Sequence, residues 1–141
     1  MISGSCLCGN VRYEISGPLS GITHCHCSQC RKTHGAAFAS YADVKRGDFK
    51  FVSGERNVAS FSSSPDVLRT FCKRCGSPLQ FIRLSRPETL SIAVGTLDSD
   101  PGVRPVHHIF VGFKAPWYEI TDNLPQYTER RSKSGHISER P

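Results

Sequence analysis

The sequence predicts a mainly β protein stapled by metal. Three observations carry this: short alternating apolar runs, turn-forming residues between them, and seven cysteines in tight clusters. Val11, Tyr13 and Ile15 point one way between polar neighbours, and Gly17-Pro18 ends the run, which reads as a strand and a turn. Further β-prone runs occupy residues 49–52, 58–61, 67–71, 79–84, 90–94 and 106–111. Gly54, Ser64-Pro65, Arg86-Pro87, Pro101-Gly102 and Ala115-Pro116 punctuate them. One short helix is expected over residues 28–34, with Ser28 as its cap and Gly35 as its stop. Residues 122–124 suggest one more helical turn.

With 141 residues the chain suits one domain, read here as residues 1–127. Residues 128–141 form a basic, polar tail expected to lack structure, read as solubilising rather than as a nucleic-acid arm. Hydrophobic residues make up 38% of the chain, somewhat low for a core of this size, so metal staples would supply missing stability. The opening Met1-Ile-Ser-Gly-Ser-Cys6 has no basic or apolar leader region, and no apolar run approaches the roughly 20 residues of a membrane span. The expectation is a cytoplasmic protein with no membrane partner. In that reducing setting an odd number of cysteines is better read as metal ligands than as disulfides. The net charge of +6 favours acidic partners, among which an anionic small molecule is preferred to nucleic acid.

Phe71-Cys72-Lys-Arg-Cys75-Gly76 is the strongest local signal. A C-x-x-C-G turn aims two sulfurs at one metal, and the glycine supplies the backbone angle the turn needs. A redox C-x-x-C would open a helix in a βαβ setting, whereas β-like segments flank this one. Two thiolates fill half of a tetrahedral zinc site, and Cys6-Leu-Cys8-Gly9 is a candidate for the other half. His24-Cys25-His26-Cys27-Ser28-Gln29-Cys30-Arg31-Lys32 then holds three further thiols, enough for a catalytic zinc with one open position. Spacing leaves alternatives: His24, His26 or His34 as a fourth ligand, Cys27 and Cys30 paired with Cys72 and Cys75, or Cys25 simply buried.

Five strings in order resemble the glutathione-dependent formaldehyde-activating enzyme family, which also includes centromere protein V. They are Gly4-Ser-Cys6-Leu-Cys8-Gly9, the His24 to Lys32 stretch, Arg69-Thr-Phe-Cys-Lys-Arg-Cys-Gly-Ser77, Gly95-Thr-Leu-Asp98 and Ala115-Pro-Trp-Tyr118. The resemblance implies a β-tent fold and a carbon–sulfur lyase of the S-(hydroxymethyl)glutathione synthase type. It also implies two zinc ions: a structural one on Cys6, Cys8, Cys72 and Cys75, and a catalytic one on Cys25, Cys27 and Cys30.

Ligand type leads to the same chemistry. Three thiolates make zinc a weak Lewis acid but leave a fourth, substrate sulfur nucleophilic, which suits thiol attack on an aldehyde better than hydrolysis. The alkoxide then needs an acid, for which His26, His34, His107 and His108 are candidates. Arg31 and Lys32 are candidates for a substrate carboxylate. Trp117, Tyr118, Phe110 and Phe113 read as core, with Trp117 as an alternative pocket wall, and Asp98 as a turn residue. The competing readings are a zinc-stapled binding module for an anionic macromolecule and a thiol buffer with exchangeable metal.

Overall fold

The computed structural model describes residues 1–131 and 137–138. Its backbone gathers into two compact units, Met1–Ser20 with Ala42–Val103, and Gly21–Tyr41 with Arg104–Pro141.

In the first unit, β1 (Ile2–Ser5), β2 (Arg12–Ile15) and β5 (Phe49–Ser53) form an antiparallel sheet in that order. The alternation read in the sequence is what builds it: Tyr13 and Ile15 are buried while Arg12 faces solvent. Tyr13 stacks on Phe49 with ring centroids 5.0 Å apart. Its ring lies over Gly4, where a β-carbon would fall 2.1 Å from Tyr13 Cζ, so β1 needs glycine there. A second run of strands, β6 (Val58–Ser64), β7 (Val67–Cys72), β8 (Pro78–Arg83) and β9 (Thr89–Ala93), pairs antiparallel in sequence order. Turns at Pro65-Asp66 and Arg86-Pro87 separate its members, as the punctuation predicts.

The second unit contains β3 (Ile22–Cys25), the helix α1 (Ser28–His34) and β10 (Pro105–Ile109). β4 (Ala39–Lys45) begins in this unit, where residues 39–41 pair with β3, and its remaining residues belong to the first unit. β3 and β10 run parallel, unlike the other pairs described. β11 (Arg130–Arg131) pairs with β12 (Ile137–Ser138). Residues 132–136 and 139–141 of the expected tail lie outside the described residues.

The molecule is therefore mainly β with one short α-helix, as expected, with two local corrections. The helix is capped by Cys27 rather than Ser28: the Cys27 sulfur accepts from the Cys30 N–H at 3.3 Å, and Ser28 is already helical. Residues 122–124 are not a helical turn. The Asp122 carboxylate accepts from the Leu124 N–H at 3.0 Å, an Asx-type turn that satisfies the backbone without a helix.

Candidate metal centres and active site

Cys6, Cys8, Cys72 and Cys75 come together in the first unit with all four sulfurs within 4.8 Å of one another. Each pair sits on a tight turn. Gly9 N–H donates to Cys6 O at 3.0 Å, and Gly76 N–H donates to Cys72 O at 2.7 Å. Both glycines take positive φ, 78° and 81°, which lets the chain turn back under the sulfurs. The Val11 N–H points at Cys6 Sγ at 3.3 Å. Ser77, which the sequence did not single out, ties the two turns: its Oγ accepts from the Leu7 N–H at 2.8 Å and lies 3.4 Å from Cys75 Sγ. That hydroxyl, with the Ser77 N–H, holds the Cys75 thiol down to about 5.

The geometry fits a metal. A tetrahedron with zinc–sulfur bonds of about 2.3 Å has edges of about 3.8 Å. The Cys6–Cys8 and Cys8–Cys72 sulfur separations are 3.6 and 3.9 Å. Both are far beyond the roughly 2.05 Å of a disulfide.

Cys25, Cys27 and Cys30 form the second group, again within 4.8 Å and all buried. Cys25 ends β3, Cys27 caps α1, and Cys30 is the buried face of that helix. Hydrogen bonds with Cys27 and Cys30, and then burial, push the Cys25 thiol up. Three thiols this close cannot all ionise without a cation, and a bound metal removes that cost. The structure thus groups the cysteines as four and three, and Cys27 and Cys30 do not join Cys72 and Cys75.

No imidazole or carboxylate among the described residues joins the three sulfurs within the same distance. The nearby histidines are engaged elsewhere. His24 Nδ1 lies 2.9 Å from Ser40 Oγ, His34 Nε2 lies 3.0 Å from the Tyr41 hydroxyl, and His107 Nε2 lies 2.9 Å from Thr23 Oγ1. His26 Nε2 meets His108 Nδ1 at 2.8 Å, and His108 Nε2 meets Asp122 Oδ2 at 3.0 Å. Both histidines are buried, and burial first and His108 second push His26 down to about 4. Phe38 and Tyr118 pack on His26, with ring centroids 5.0 and 6.3 Å away.

Arg31 has a buried Nε with no partner among the described residues, while Lys32 is exposed. Trp117 is not core: it is 70% exposed and lines an open cleft of about 520 Å³ with Lys114, Tyr118, Glu119 and Gln126. Proline on its N-terminal side and a turn at Trp117 keep the indole out of any strand. Phe110 is fully buried, as expected. Asp98 does more than end a turn, because its carboxylate accepts from the Ser5 hydroxyl at the end of β1.

Fold and site together define a class: a mainly β protein with two thiol groups, either of which could hold a metal ion. Residues 1–112 match the family model described as glutathione-dependent formaldehyde-activating enzyme, and the chain belongs to that family. It is 31% identical over 78 residues to an uncharacterized lyase, C29B12.13, of Schizosaccharomyces pombe. That match covers 55% of this chain and 55% of the relative, so the chain spans about half the length of the curated relative it matches. A Rhodobacter sphaeroides protein solved in a crystal is similar with a TM-score of 0.60 and 28% identity, covering 74% of this chain and 99% of that one.

Proposed function

We propose that the protein is a zinc-dependent carbon–sulfur lyase that joins a small, glutathione-like thiol to an aldehyde such as formaldehyde. The observation that carries the reading is the second thiol group: three buried sulfurs with no fourth ligand among the described residues. Family membership and the lyase name of the relative point the same way. Cys25, Cys27 and Cys30 would hold the catalytic zinc, and Cys6, Cys8, Cys72 and Cys75 the structural one. A zinc held by these three thiolates would supply a cation that favours the deprotonated, nucleophilic form of a substrate thiol near neutral pH.

The chain supplies the rest. In the reaction the thiol S–H bond breaks, a sulfur–carbon bond forms, the carbonyl π pair passes to oxygen, and that oxygen takes up the proton the thiol gave up. Of the four histidines expected to move this proton, His26 is set apart by its sequence position between Cys25 and Cys27 and by a buried Nδ1 with no partner among the described residues, an atom that can take the thiol proton and return it to the oxygen. Arg31, one residue beyond Cys30, has an unmatched guanidinium Nε and suits a substrate carboxylate. No helix of the described residues is long and apolar enough to cross a membrane.

Cobalt substitution tests the reading, since a further sulfur ligand intensifies the thiolate charge-transfer band. Glutathione should change the spectrum saturably and S-methylglutathione far less, and Cys27→Ser should abolish the response. A spectrum indifferent to every thiol would mean that the position is closed, and the zinc-stapled binding module would take its place.

A further inference from the structure

The three groups Asp122, His108 and His26 form one hydrogen-bonded line. It starts at a partly exposed carboxylate, with a side chain 46% accessible, and ends at a nitrogen sealed from solvent. Its direction follows from what each atom can do. The His108 Nε2–H next to Asp122 holds that carboxyl below its usual range, so Asp122 is ionised and can only accept. His108 therefore donates from Nε2 to Asp122. Between two buried rings the order that adds no buried charge is the one in which His108 Nδ1 accepts from His26 Nε2–H at 2.8 Å. The proton of His26 is thus placed on Nε2 and its lone pair on Nδ1. That Nδ1 has no partner among the described residues, although His26 is fully buried. Buried polar atoms in folded proteins are nearly always satisfied, so the exception at His26 Nδ1 calls for an explanation, and a catalytic role is one that such exceptions have.

We propose that Asp122 and His108 are positioning residues that hold His26 in the Nε2–H tautomer, presenting its Nδ1 as an acceptor for the hydroxyl of a thiol–aldehyde adduct. The identity of that ligand rests on the function proposed above; the order of the hydrogen bonds does not. The backbone supports the arrangement independently. The His26 N–H is tied to Ile109 O at 3.0 Å, and the His108 N–H to Pro125 O at 2.9 Å, so both histidines are fixed by main chain as well as by side chains. Tyr118 lines the open cleft and also packs 6.3 Å from the His26 ring.

The test is tautomer assignment by long-range proton–nitrogen NMR on zinc-loaded, full-length protein labelled with nitrogen-15 histidine. In the wild type both His26 and His108 should carry their proton on Nε2. Glutathione plus formaldehyde should shift the His26 Nδ1 resonance. In Asp122→Asn the amide can donate to His108 Nε2, which should reverse both tautomers and lower kcat by about tenfold or more, with KM for glutathione little changed. Asp122→Glu, still an acceptor only, should restore the wild-type tautomers. A proton on His26 Nδ1 in the wild type, or a His26 resonance blind to the adduct, would overturn the proposal, and the wild-type spectrum decides this even if a variant fails to fold. Expected tautomers and shift without turnover would support the hydrogen-bond line while removing the proposed lyase activity.

Discussion

Tyr13 shows how one side chain can be both packing and a titratable device. Its ring is buried between Gly4 and Phe49, and its hydroxyl meets Thr96 Oγ1 at 2.6 Å. The Thr96 hydroxyl donates onward to Ala93 O, so Tyr13 is the donor. Burial, the largest cause, raises the phenol to about 12, with the Asp98 charge adding to the rise. The folded value lies above the unfolded one of about 10, so the protonated phenol contributes stability fully below pH 10 or so. That contribution is lost as pH rises from there towards 12. One of the four tyrosines should ionise only on unfolding, seen as a delayed phenolate absorbance. Tyr13→Phe should remove that delayed step and lower neutral-pH stability by about 1 kcal/mol. A titration in which all four ionise together below pH 11 would contradict the burial argument.

At the scale of elements, α1 is the piece that presents the three-thiol group, and seven residues are too few to hold a helix by propensity alone. Its ends do that work. The Cys27 sulfur accepts from Cys30 N–H at the start. Gly35 closes the other end at φ 58°, with its N–H on Arg31 O, and Arg31, Lys32 and His34 favour the negative end of the helix dipole. Nothing lies within 4 Å of a β-carbon at Gly35, so Gly35→Ala adds no clash. It should cost only the left-handed penalty, about 1 kcal/mol, and Gly35→Asn should cost less. Thermal melts measure both. A neutral Gly35→Ala would mean that the helix end carries no stability.

At the scale of the whole chain, the two thiol groups belong to different compact units and should fail differently. The four-thiol group joins turns whose cysteines Cys8 and Cys72 are 64 positions apart, a long loop to close without a cross-link. Full loading should give two zinc ions per chain by elemental analysis. Cys72→Ser should forfeit most of a binding free energy on the order of 10 kcal/mol, and with it the cooperative melt. Cys27→Ser should drop the zinc count by one and leave a cooperative transition within a few degrees of wild type. Equal collapse of both variants would remove the division into a structural and a catalytic metal.

Much of this was legible in the chain itself. Strand alternation at Tyr13 and Ile15, punctuation by Ser64-Pro65 and Arg86-Pro87, and the C-x-x-C-G turn at Cys72 are local signals, because they depend on a residue's own torsions and its nearest neighbours. β1, β3 and β4 escaped that reading. β1 is Ile-Ser-Gly-Ser, and β4 buries Ala39 and Ala42, residues with little β preference of their own. They become strands through the partners they meet: β1 through β2 and Leu97, and β3 through β4 and β10. The same holds for the site: cysteine spacing proposed four and three, but only the fold brings Cys8 within 3.9 Å of Cys72 and sets Ser77 between the two turns. Asp122, read as part of a helical turn, became the outer end of the histidine line because β10 lies beside β3 and puts His108 against His26. Sequence determines what a residue can donate, accept or ligate. Which atoms it meets depends on contacts across tens of residues, and those exist only once the strands have paired.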